Sequence, residues 1–230
     1  MPRRFFVSAL LSRIRTVTDT EDDDHITDAY LKAQLSTIYG QLWGVVVETG
    51  LRYFETRVTL VSDGSNALDE PADTFCHVGL DYIEAGTNRR RELTELMAQE
   101  RTWANQPWIS GTYARFFELV DDQLLLYPTP QTGQSYQLLY IPQPPDLTSA
   151  DESELVDVVT PDGEAFLTYG VAALVHARKD QDATLMQQER EAAKDRLSTW
   201  AAMRAFHQPR RRVVQIDDCP EPGDTFWYEP

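Results

Sequence analysis

The stretch 122-DQLLLYPTPQTGQSYQLLYIPQPP-145 decides how the middle of the chain is read. Two apolar runs flank a turn of proline, threonine, glutamine and glycine, and a proline cluster closes the second run. Glycine and proline punctuate a chain, and leucine and tyrosine suit a pleated, half-buried surface. The runs 123-QLLLYP-128 and 135-SYQLLYI-141 therefore read as the two strands of a hairpin. Nothing in the stretch does chemistry, for it holds no His, no Cys and no metal-ligand spacing.

Working outward, 112-TYARFFELV-120 reads as a further strand just upstream. In 53-YFETRVTLV-61, Phe54, Thr56, Val58 and Leu60 share one face at period two, which also predicts a strand. DGSN at 63–66 is turn chemistry, and 75-FCHVGLDYI-83 is a strand. The segment 91-RELTELMAQERTWAN-105 predicts a short polar helix. The span 51–149 is then a small antiparallel β insertion.

Helices flank it. Leu31, Leu35, Ile38, Leu42 and Val45 recur at spacings of four and three, one stripe of a long helix, widened by Tyr30, Trp43 and Val46. Acids at Glu21–Asp24 precede that helix, where they suit its dipole, and Gly50 is a natural stop. The N-terminal stretch predicts a short amphipathic helix with Phe6, Leu10, Leu11 and Ile14 on one face. Downstream, Phe166, Gly170, Ala173, Leu174 and Ala177 mark a packed helix over roughly 162–178, whose small residues permit close helix approach. A sparse stripe of Met186, Ala193, Leu197 and Trp200 marks a more polar helix over 181–206. The expected class is α+β: a helical bundle from 1–50 and 150–207, an antiparallel β insertion, and an extended C-terminal tail at 208–230.

The formal charge is −16. Affinity for DNA comes largely from Lys and Arg displacing counterions, so general DNA binding is disfavoured. A surface that DNA slides past, or that docks a basic partner, is allowed. The two cysteines, Cys76 and Cys219, lie far apart and outside any CxxC, which reads as free thiols in a reducing compartment. No apolar run approaches membrane-spanning length, and Arg13 and Arg15 interrupt the N-terminal apolar stretch too early for a signal peptide. The expectation is a protein made inside a cell with no membrane partner.

No catalytic residue, metal ligand or cofactor motif emerges. His25, His77, His176 and His207 form no HxH, HExxH or Cys/His cluster. The carboxylates fall in runs, which are usually solvated faces, whereas a catalytic carboxylate is raised in pKa by burial among apolar neighbours. Two arginine triplets stand out, Arg89–Arg91 and Arg210–Arg212. The first reads best as a loop–helix boundary held by local ion pairs, in preference to a contact with phosphate or an acidic partner. The second opens a tail whose prolines resist helix and central strand. There Val213, Val214 and Ile216 could add to a sheet edge. Phe226, Trp227 and Tyr228 read as anchors for a partner's pocket.

The order of these segments resembles the head-to-tail adaptor, or connector, proteins of tailed bacteriophages. The resemblance runs over most of 24–206. It rests on the helix ITDAYLKAQLSTIYGQLW, the YF…RVTLV strand, the segment LDEPADTFCHVGLDYI, the LLLYPTP–QTG–YQLLYIPQPPDL turn and the helix FLTYGVAALVHARKD. It departs from that pattern at 69-DEPADTF-75, where Asp69 and Glu70 crowd the proline and leave the register of the strand unset. The resemblance implies a structural virion protein at the head–tail junction, assembled in the host cytoplasm, and no enzyme. It implies a homo-oligomeric ring, usually of twelve, under the portal protein, with a tail or nozzle protein below and DNA in transit through the channel.

On that reading Arg210, Arg211, Arg212, Val213, Val214, Ile216, Phe226, Trp227 and Tyr228 bind the portal. Glu21, Asp22, Asp23, Asp24, Asp151, Glu152 and Glu154 are the acids nominated for the channel. The alternatives are another tail-completion or nozzle component, or an α+β enzyme or small-molecule binding domain.

Overall fold

The computed structural model describes residues 3–21, 23, 25–87, 89–96 and 113–207. They fall into two compact units, one from Met1–Tyr53 with Pro144–Gln208, the other around Phe54–Gln143. The fold is α+β.

The first unit holds four helices among the described residues: α1 (Val7–Thr18), α2 (Asp28–Glu48), α3 (Pro161–Arg178) and α4 (Thr184–Phe206). In α2 the predicted stripe is buried at Leu31, Leu35, Ile38 and Leu42. Tyr39 and Val46 complete it, while Val45 is only half-buried. Thr27 caps the helix by accepting from the Tyr30 N–H at 3.3 Å. The acid in the first turn is Asp28; Glu21 and Asp23 lie in the approach to the helix, too far ahead to act on its dipole as expected. Gly50, at φ +76°, ends it in the left-handed conformation that only glycine adopts freely.

α3 starts at Pro161, with Thr160 accepting from the Gly163 N–H at 3.1 Å. It is apolar on most sides, from Phe166 through Val171 to Val175. Ala177 is exposed and Leu174 half-buried, contrary to the expected stripe, because the buried face runs through Val171, Ala172 and Val175 instead. Gly170 stands where a Cβ would meet Ile38 Cγ2 of α2 at 2.8 Å, so the helices approach too closely for a side chain. α4 buries only Ala193, Leu197 and Ala201, a narrow edge; of the expected stripe, Met186 and Trp200 are half-buried.

The N-terminus brings a correction. Arg4–Phe6 is a strand, β1, paired antiparallel with β10 (Leu155–Asp157). Phe6 ends that strand and is 51% exposed, so it does not share the helix face with Leu10, Leu11 and Ile14. Val7 fills that place, fully buried.

Among the described residues the second unit holds two four-stranded sheets. In one the order is β2 (Thr56–Val61), β9 (Ser135–Pro142), β4 (Thr74–Ile83), β5 (Arg90–Glu92). In the other it is β3 (Ala67–Asp69), β8 (Gln123–Tyr127), β7 (Phe116–Val120), β6 (Thr94–Glu95). All pairings are antiparallel except β6 with β7. Leu80, Tyr136 and Leu138 from the first sheet share one core with Leu68, Phe117, Leu124 and Leu126 from the second.

Two expectations fail here. The two runs of the opening stretch, β8 and β9, do not pair with each other. β8 pairs with β3 and β7, and β9 with β2 and β4, so PTPQTG carries the chain from one sheet to the other. The hairpin is β7–β8, closed by Asp121 and Asp122, with Asp121 at φ +53°. The expected helix at 91–105 is also overturned where it is described. Arg90–Glu92 and Thr94–Glu95 are strands, and Leu93 between them is buried in the core that the two sheets share. The remainder of that segment, from 97, lies outside the described residues.

Candidate assembly surfaces

Both nominated acidic runs flank α1. Glu21 and Asp23 follow its C-terminal end. Asp23 forms an ion pair with Lys179 at 2.8 Å, and that bond, with the His25 N–H, holds its carboxyl below the usual range. Glu21 is exposed and accepts from the Thr16 hydroxyl at 2.8 Å. Asp151, Glu152 and Glu154 are exposed near the other end, where the Glu152 and Glu154 carbonyls accept from the Ser8 and Val7 N–H groups. A twelve-residue helix is about 18 Å long. The two runs are thus separate acidic patches on one unit. Asp22 and Asp24 lie outside the described residues, as do Arg210, Arg211, Arg212, Val213, Val214, Ile216, Phe226, Trp227, Tyr228 and Cys219.

A carboxylate in this unit that the sequence did not single out is Glu164. It is 5% exposed at the side chain and paired with Arg3, at 3.2 Å, and with Arg13. Charge this deeply placed is retained only when it is paired, and here the pairs tie α1 and the residue ahead of β1 to the start of α3. Phe6 and Leu155 are register partners on the β1–β10 ribbon and both about half exposed.

The β unit carries a basic end and an acidic one. At the β4–β5 turn Arg89, Arg90 and Arg91 are exposed. Arg91 donates to the Tyr113 hydroxyl at 2.8 Å and to Glu84 at 3.2 Å. Its guanidinium lies 5.3 Å from the Tyr113 ring centre, Arg115 lies 6.0 Å from the same centre, and Tyr113 stacks on Tyr82 at 4.5 Å. The local ion pair expected for this triplet is the Arg91–Glu84 contact.

A groove of about 720 Å³ is lined by Asp69, Glu70, Asp121 and Asp122, with no Lys or Arg among its described lining residues. Burial, and then the Asp122 charge, push the Glu70 carboxyl above the usual range. The departure noted at DEPADTF is this groove's wall: β3 ends at Asp69 in one sheet and β4 begins at Thr74 in the other.

Among the described residues no group of three or more His, Cys, Asp or Glu could hold a metal ion, and no helix is long and apolar enough to cross a membrane. Cys76 is a free, half-buried thiol, and burial pushes its pKa up.

The sequence matches the family described as SU10 adaptor protein over residues 7–214, spanning both units. The chain belongs to that family. It is a bacteriophage head-to-tail adaptor, a structural component of the virion that works through contact with other virion components. Among curated proteins no match was found. For an adaptor, the relevant features are surfaces. Of those read from sequence, the separated acidic patches and the Arg89–Arg91 turn are described; the acidic groove was missed, though an Asp-Glu pair beside a proline between two strands was its visible sign.

Proposed function

We propose that the protein forms a homo-oligomeric ring of twelve copies beneath the portal, joins capsid to tail, and lets DNA pass without holding it. It acts as a structural part rather than a catalyst. The family match over residues 7–214 is the observation that carries this reading. The charge of −16 supports it, because a ring of such chains repels the phosphate backbone in its channel. Asp151, Glu152 and Glu154, with Glu21 to Asp24, are the acids proposed to face DNA. Residues 208–230 are proposed to reach the portal, with Arg210–Arg212 meeting acidic groups and Phe226, Trp227 and Tyr228 filling a pocket. A tail or nozzle protein binds below.

Imaging intact particles tests the placement: adaptor density directly under the portal is expected, and density elsewhere in the tail refutes it. Deleting residues 208–230 tests the tail. Loss of adaptor from the portal is expected, and normal docking of the shortened chain rules the tail out.

A further inference from the structure

A ring is built from heterologous contacts, in which one patch on a subunit meets a different patch on the next. Each copy must then carry two complementary surfaces. Within the β unit, β4 runs from Thr74, which lines the acidic groove, to Ile83, whose register partner is Arg90. Ten residues of strand span about 30 Å. β7 runs the other way, from beside Arg115 to Asp121. The acidic groove and the arginine cluster therefore occupy opposite ends of the same unit.

The acidic end is more than a cluster of carboxylates. The Glu70 side chain is 9% exposed, and its Oε1 is buried with no hydrogen-bond partner. Its neighbour His77 Nε2, 3.9 Å away, is close enough for an ion pair when the imidazole is protonated but beyond hydrogen-bond reach. A buried carboxylate oxygen without a hydrogen-bond donor is costly, and the neighbouring Asp122 adds repulsion. A guanidinium offers donors in a planar fork that suits a carboxylate, together with the opposite charge. Arginines stand at the other end, on the edge strand β5, where Arg89 and Arg90 are exposed and Arg91 is braced by Tyr113. Charged edge strands resist indiscriminate strand pairing, so contact at this edge is selected by charge.

We propose that the Asp69/Glu70/Asp121/Asp122 groove of one copy receives the Arg89–Arg91 turn of the next, making the β units a head-to-tail interface of the ring. The partner is a second copy of this chain. This rests on the ring reading above.

The test uses the full chain assembled on portal-bearing particles, with adaptor copies counted by electron microscopy. Asp122→Arg and Arg90→Glu each reverse a charge at an exposed position, and thermal unfolding confirms that each folds. Each alone lowers adaptor occupancy by about tenfold or more, as like charges meet. The double variant restores occupancy to within about twofold of wild type, because the charges are exchanged across the interface. Glu70→Gln lowers occupancy too, while leaving the fold intact.

Folded single variants that assemble like wild type overturn the inference and leave the ring reading standing. So does a double variant that stays defective. Absence of a ring in wild-type particles removes the ring reading, and the inference with it.

Discussion

At the scale of single residues, Glu164, Gly170 and Glu70 set measurable costs. Glu164 is buried while its partners Arg3 and Arg13 are 45% and 59% exposed at the side chain. Removing both arginines strands a buried charge, which costs about 3–5 kcal/mol where no solvent relaxes it. Partial exposure of the site brings this down to about 2–3 kcal/mol. Glu164→Gln leaves two arginines free to hydrate and costs about 1 kcal/mol. Urea unfolding of the two variants should show this asymmetry, and equal losses would contradict it.

Gly170→Val should also destabilise. The new side chain collides with Ile38 Cγ2, and overpacking of about 1–3 kcal/mol exceeds the ~1 kcal/mol gained by removing a helical glycine. Glu70 has the opposite sign. Its folded pKa is raised, so the folded state binds the proton more tightly than the unfolded state. Folding is then penalised above the folded pKa, and the penalty fades as pH falls through the unfolded value. Glu70→Gln should raise the melting temperature of the isolated chain at pH 7 and lose that advantage near pH 4. A tenable loss of assembly alongside gained stability is the signature of a residue held for contact.

At the scale of elements, local period decided what was legible. Leu31, Leu35, Ile38 and Leu42 announce α2 because one helix face is fixed by the helix itself. Strand partners are not fixed that way. The leucines and tyrosines of 122–145 declare two strands, but period two says nothing about which strand lies beside which. The β8–β9 crossover between sheets stayed hidden for that reason. The same holds for β1, whose Arg4–Phe6 is too short to show a period and is ordered by pairing with Leu155–Asp157 far along the chain. Glu70 was hidden because burial of a polar group depends on neighbours far along the chain, here Asp122.

Caps belong at this scale too. Thr160 is 7% exposed and caps α3 in the core, whereas Thr27 caps α2 at an exposed position. Thr160→Ala should cost about 2 kcal/mol and Thr27→Ala nearer 0.5, as denaturant midpoints would show. Equal effects would mean that burial of the cap is irrelevant.

For the whole molecule, the distribution of charge matters more than its total. The acids at Asp151, Glu152 and Glu154 are solvated, and none is needed to hold a helix or sheet by its side chain in the described bonds. Changing all three to lysine should therefore leave unfolding within about 0.5 kcal/mol of wild type. Its effect on DNA would be larger. In the proposed ring, with these acids facing the channel, each substitution is repeated in every copy, and the channel would gain a band of cations that phosphates condense on as counterions leave. DNA that slid past would be retained, and ejection would slow most at low salt, where the Debye length is longest. Ejection timed on particles carrying the variant, at low and high ionic strength, measures this. A slowing that salt relieves places these acids along the path of DNA; unchanged ejection at both salts puts them on the outer wall.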